Sequence, residues 1–145
     1  MKTFDIQLTD NFTLSEFLTT TKDFDNFSIP VGHFYNILNL ASILQKIRNQ
    51  ISKPIRISSG YRPEKLNTMV DGVKNSYHLV GAAADVYFNN KEDYESAWKC
   101  ARYLFEYYAI IDIAELLGCP DQFWFHISIN NSYRPQKRVI NSNFY

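Results

Sequence analysis

The chain carries no excess charge: its 15 lysines and arginines are matched by 15 aspartates and glutamates. A balanced surface has no basic field to hold nucleic acid or an anionic membrane, so a neutral or small substrate is the simpler expectation. Cysteine is scarce. Cys100 and Cys119 show no C-x-x-C metal spacing, and one pair is no disulfide framework, so both read as free thiols. No apolar run is long enough to span a bilayer. Met1 to Asn11 holds Asp5 and Asp10 in a short alternating pattern rather than a signal peptide's hydrophobic stretch, so the expectation is synthesis in the cytoplasm without a signal peptide. Repeats, low-complexity tracts and linkers are also missing. What remains is 145 residues, 46% of them hydrophobic, which fits one globular domain over 1–145 with one active-site cleft. Aromatics reach 16%, enough for a core built largely from Phe and Tyr.

Thr13-Leu14-Ser15-Glu16 has the form of a capping box and predicts a short helix anchored by Phe17 and Leu18. Phe34, Ile37, Leu38, Ala41, Leu44 and Ile47 recur at three- and four-residue intervals, the stripe of an amphipathic helix ending near Gln50. Pro54 to Ser58 reads as a short strand stopped at Gly60, and Pro63 suits the first position of a further helix. Asn67 to Gly81 is rich in Gly, Asn and Ser and reads as a loop into a strand from Ala82 to Phe88. Asn90 can cap a second long helix whose buried face is Tyr94, Ala97, Trp98, Ala101, Leu104, Phe105 and Tyr108. Two strands follow, Ile110 to Leu117 and Phe123 to Ile129. This order predicts an α+β fold, a small mainly antiparallel sheet with helices packed against it.

The chemistry concentrates in Ser76-Tyr77-His78-Leu79-Val80-Gly81-Ala82-Ala83-Ala84-Asp85. Imidazole nitrogen and carboxylate oxygen are both good zinc donors. An aspartate inside an otherwise apolar strand faces a desolvation cost of several kcal/mol unless a cation or hydrogen-bond donors meet it. A third donor is available in His126, the other histidine that lies in a strand. Three protein ligands with a fourth position left to water define a catalytic rather than a structural zinc site. The plainer alternative is a satisfied core histidine beside a turn or capping aspartate, and His33, which has no such company, is read that way.

From Phe12 to Ile140 the chain resembles the zinc D-Ala-D-Ala carboxypeptidases and the related phage L-alanyl-D-glutamate endopeptidases, a group that shares its fold with the hedgehog signalling domain. The resemblance is carried by Phe12 to Phe17, by Ser59-Gly60-Tyr61-Arg62 with Leu66-Asn67, and by the Ser-x-His-x-x-Gly-x-Ala-x-Asp core from Ser76 to Asp85. Trp124-Phe125-His126-Ile127-Ser128 and Arg138-Val139-Ile140 complete it. It implies that His78, Asp85 and His126 ligate Zn2+ and that Arg62 contacts the substrate carbonyl or stabilises the oxyanion. Ser76 matches a serine that lines the site near the substrate, while Asn67 and Gly81 hold the loop. Arg48 and Arg56 inherit no role. Taken alone, Arg62 could equally be a surface arginine paired at a helix start.

One position departs from the pattern. Better-known relatives place Asp or Glu three residues before the last histidine, to take a proton from the attacking water and pass it to the leaving amine. Here that residue is Phe123. Glu115 is the expected replacement, from the strand that should pair with the His126 strand, and Asp121 is the alternative. Register decides between them. If the connecting loop spans Gly118 to Gln122, Ala114 faces His126 and Glu115 falls on the opposite face, whereas a slip of one residue would bring Glu115 opposite His126.

The implied function is zinc-dependent hydrolysis of a peptide bond in the stem peptide of peptidoglycan, by a carboxypeptidase or an L,D-endopeptidase, with a phage endolysin as one setting. The expected partner is that stem peptide, with no nucleic acid and no membrane span, and the protein is expected to be a monomer acting on the cell wall after phage-mediated release or as a virion component. Two rivals remain: a zinc-bearing module that binds peptidoglycan or a protein without cleaving it, and a virion scaffold that keeps only the hydrolase fold.

Overall fold

The computed structural model describes residues 5–20, 22–24, 28–107, 110–116, 123–129 and 138–142, with the backbone alone over 105–107, 110–116 and 138–142. The capping box expected at Thr13 and Glu16 is present. Glu16 Oε2 accepts from the Thr13 N–H at 2.7 Å, while the Thr13 hydroxyl turns to the same carboxylate at 3.3 Å. The result is a 3-10 turn, Leu14–Leu18, pinned by the fully buried Phe17.

Helix α1 (Val31–Ile51) starts earlier than the stripe predicts and buries Ile37, Leu40, Ala41, Ile43, Leu44, Gln45 and Ile47. It ends where Ser52 adopts the left-handed conformation (φ 55°) and its N–H bonds the Arg48 carbonyl at 2.9 Å. Strand β1 (Arg56–Ser59) leads to α2 (Glu64–Met69), for which Pro63 stands one position outside, as the cap residue rather than the first helical one. A second 3-10 turn, Tyr77–Val80, carries His78 into β2 (Ala83–Tyr87). Helix α3 (Lys91–Tyr107) begins as expected, with Asn90 Oδ1 accepting from the Asp93 N–H at 2.9 Å. The Phe105 side chain and all of Tyr108, which the sequence assigns to the buried face, lie outside the described residues. Strands β3 (Ile110–Leu116), β4 (Trp124–Ile129) and β5 (Arg138–Ser142) follow.

The sheet runs β1-β2-β4-β3-β5, antiparallel throughout except for the parallel β3–β5 pair. The α+β expectation holds, and β5 is an addition to it. Alternation along β2 and β4 then divides the residues by face. Ala84, Val86, Phe125 and Ile127 join the core with Leu40, Leu44, Ala97 and Ala101 of the long helices. Phe125 stacks on Phe88 at 5.7 Å and meets Trp98 edge-on at 5.4 Å, so the aromatics do serve the core. Each fully buried side chain of this size contributes about 1.5–3 kcal/mol, enough to hold the opposite face rigid. That opposite face carries Ala83, Asp85, His126 and Ser128. Among the described residues no helix is long and apolar enough to cross a membrane.

Candidate metal centre

The register of β2 against β4 places Asp85 directly opposite His126. Directly opposed residues share a face and stand about 5 Å apart at Cβ, so the two side chains must meet. They do, with His126 Nδ1 2.8 Å from Asp85 Oδ1. His78 reaches the same oxygen from the 3-10 turn, its Nε2 at 3.5 Å. Its ring centroid lies 5.2 Å from that of His126, and one ligand atom from each of the three residues falls within 4.8 Å of the others.

The approach of His78 depends on backbone that only small residues permit. A Cβ on Gly60 would stand 2.4 Å from the Phe17 carbonyl oxygen, so glycine is required there. With it, the Gly60 carbonyl accepts from His78 Nδ1 at 2.7 Å. That bond keeps the proton on Nδ1 and leaves the Nε2 lone pair directed at Asp85, as a ligating imidazole needs. Gly81, at φ +76° and pressed against the His33 carbonyl and Ile37, turns the chain from His78 into β2.

His78 and His126 are 2% and 5% exposed, and the Asp85 side chain 19%. Burial pushes the His78 pKa down, keeping the imidazole in the neutral, ligating form. For Asp85, burial alone would raise the carboxyl, but hydrogen bonds and charge from His126 and His78 outweigh it and hold the group ionised, well below the usual carboxylate range. Two imidazoles around one carboxylate are a donor set suited to Zn2+. Ligand atoms of a tetrahedral zinc stand about 3.3 Å apart, given metal–ligand distances of about 2 Å. The two separations to Asp85 Oδ1, 2.8 and 3.5 Å, bracket that value, and all three ligand atoms lie within 4.8 Å of one another, so the donor set is compatible with the metal.

Arg62 borders this cluster. Its backbone N–H bonds the His78 carbonyl at 2.9 Å, and its Nη2 donates to Ser76 Oγ at 3.2 Å. The same hydroxyl oxygen accepts from the His78 N–H at 3.2 Å. Ser76 therefore joins Arg62 to the loop that carries His78. Arg56 is exposed at the start of β1, and Arg48 lies in α1. Asn67 holds the loop, donating from Nδ2 to the Val73 carbonyl at 3.0 Å.

The register of β3 bears on the carboxylate that Phe123 does not supply. Ala114 pairs with His126 and Glu115 with Phe125, so the slip that would set Glu115 opposite His126 is absent, and the alternation of β3 puts Glu115 on the other face. Asp121 lies outside the described residues, as does Cys119, while Cys100 is a half-buried free thiol. Phe123 packs at the edge of the core beside Tyr94, and its carbonyl accepts from the Phe88 N–H at 2.8 Å.

Ser128 is an addition to the residues expected at the site. Its Oγ lies 3.2 Å from His126 Nε2, and both residues are buried. Strand parity carries the signal for it: residues two apart on a strand share a face, so a polar residue at 128 has to lie beside the ligand.

A search of curated proteins finds no match to this chain. Against family profiles, residues 10–128 match Peptidase M15, a span that contains His78, Asp85, His126, Arg62 and Ser76. By that match the chain belongs to the M15 peptidase family, whose members are zinc-dependent metallopeptidases.

Proposed function

We propose that this protein is a zinc metallopeptidase that hydrolyses a peptide bond in the stem peptide of bacterial peptidoglycan. The observation that carries this reading is the convergence of His78, Asp85 and His126 beside a guanidinium held by Ser76. When bound, zinc supplies Lewis acidity, polarising a carbonyl oxygen and lowering the pKa of water towards about 7. The protein's own groups do the rest. His78 and His126 are oriented by hydrogen bonds on their far nitrogens, and the buried Asp85 carboxylate offsets cationic charge. Arg62 presents N–H donors to the oxygen on which negative charge develops. A carboxylate, Glu115 or Asp121, takes the proton of the attacking water and returns it to the leaving amine, and the register of β3 favours Asp121.

Peptidoglycan as substrate is supported by the likeness of Ser59 to Arg62 and Ser76 to Asp85 to D-Ala-D-Ala carboxypeptidases and L-alanyl-D-glutamate endopeptidases. The setting, a monomeric phage endolysin, belongs to the same proposal. The test is incubation of the zinc-loaded protein with purified sacculi and synthetic stem peptides, read by mass spectrometry. Loss of a terminal D-Ala identifies a carboxypeptidase, and a cut after L-Ala an endopeptidase. Phe123 at the usual acid position favours one second reading, a zinc-bearing module that binds the wall without cutting it, and zinc-loaded protein that cleaves neither substrate would establish that reading instead.

A further inference from the structure

We propose that Ser128 is a positioning residue for His126, holding the imidazole in the orientation in which Nδ1 can ligate the metal. This rests on the metal-centre reading above. Ser128 sits in mid-strand between Ile127 and Ile129, fully buried, where a small polar side chain gains little from burial or strand propensity. Its backbone is engaged by ladders to both neighbours, with Ala83 opposite on β2 and Asp112 opposite on β3. The hydroxyl meets His126 Nε2 at 3.2 Å.

An imidazole that ligates a metal through Nδ1 carries its proton on Nε2. Asp85 Oδ1, 2.8 Å from Nδ1, favours the proton on Nδ1, where it blocks ligation. The Ser128 hydroxyl, 3.2 Å from Nε2, can donate to that nitrogen or accept from Nε2–H, so it stays bonded to the ring when the Nδ1 lone pair turns to a metal. In the ligating form Nε2 bears the proton, and Ser128 Oγ is an acceptor already in place for it. The hydrogen bond also fixes the ring about its Cβ–Cγ bond, aiming Nδ1 at the point shared with Asp85 and His78. Partners of this kind on the far nitrogen of a ligating histidine are worth roughly 10–100-fold in metal affinity.

The experiment measures zinc affinity by competition with a chromophoric chelator for wild type, Ser128→Ala and Ser128→Thr, together with unfolding of each apoprotein. Ser128→Ala should bind zinc roughly 10–100-fold more weakly while its apoprotein unfolds at the wild-type midpoint or above, and Ser128→Thr, which keeps a hydroxyl, should recover most of the affinity. Nitrogen-15 imidazole spectra of the zinc-loaded wild type should show the His126 proton on Nε2 and slow to exchange, and faster exchange in Ser128→Ala. Equal affinity of wild type and Ser128→Ala overturns the proposal, as does a zinc-loaded wild type with that proton on Nδ1. A wild type that binds no zinc at all removes the metal centre itself, and that failure shows before any variant is compared.

Discussion

Asp85 and His126 stand opposite each other on β2 and β4, with 2.8 Å between carboxylate oxygen and imidazole nitrogen, and neither could keep that place on an unpaired strand. The contact comes from sheet register rather than from sequence neighbourhood. His78 is then added by a turn whose position depends on Gly60 and Gly81. The first prediction follows. Purified protein should hold about one zinc per chain, and His78→Ala, Asp85→Ala and His126→Ala should each lose most of it, because three protein ligands leave no redundancy. Elemental analysis after dialysis is the measurement, and stoichiometric zinc in any of the three variants would sink the ligand assignment.

Much of this arrangement is legible in the amino-acid sequence. The apolar stripe from Phe34 to Ile47 is a local, periodic signal, and α1 follows it; Leu40 and Ile43 join the buried face because α1 is covered over a wider arc than that stripe implies. Asn90 caps α3 as its side-chain chemistry requires. His78, Asp85 and His126 stand out because polar groups in apolar surroundings need partners. What the sequence hides is non-local. Strand β5 pairs in parallel with β3, and nothing local in Arg138-Val139-Ile140 specifies that partner. The pairing of Ala114 with His126 is one of two registers compatible with the loop, and it becomes definite only in the assembled sheet. Ser128 shares a face with His126 by strand parity, but the ring nitrogen it meets depends on the rotamer that Asp85 and the sheet impose on the imidazole.

Arg62 should matter to turnover and not to metal. Arg62→Ala is expected to lower turnover on stem peptides by roughly a hundredfold with zinc content unchanged, the usual loss for one oxyanion donor. Ser76→Ala should show a smaller loss, because its hydroxyl steadies Arg62 and the His78 turn without being the charged donor. Arg56→Ala, at an exposed position, should be close to wild type. Equal losses for Arg62 and Arg56 would remove the reason for assigning Arg62 this role.

Acid should destabilise the apoprotein in two stages. The folded His78 pKa is pushed below its ordinary 6.5 by burial, so the unfolded chain binds the proton more readily. Stability from the neutral imidazole is therefore complete above about pH 6.5 and is lost as pH falls through the folded value. Asp85 acts in the same direction lower down, since its carboxyl is depressed by His126 and His78 against the opposing effect of burial; its share is lost as pH falls below its ordinary 3.8. Urea midpoints of metal-free protein should fall from about pH 7.5 to about pH 5. His33, also lowered by burial, adds a slope of the same sign, so His78→Asn should flatten the curve without abolishing the slope. A curve equally steep in that variant would show that His78 is not the group responsible.

The last prediction concerns the carboxylate that Phe123 cannot supply. Strand β3 sets Ala114 opposite His126 and Glu115 on the other face of the sheet, where the long helices pack. A general base must come within about 3 Å of the proton it takes, directly or through one water. Glu115 pairs with Phe125 rather than with His126, whereas Asp121, five residues before His126, belongs to the segment that leads into the ligand's own strand. Asp121→Asn should therefore keep zinc and fold while losing most activity, since an amide cannot accept the proton. Glu115→Gln should change turnover little. The reverse pattern would mean that Glu115 reaches the metal despite its register. Full activity in both variants would show that neither carboxylate is the base, and that another residue or metal-bound hydroxide alone suffices.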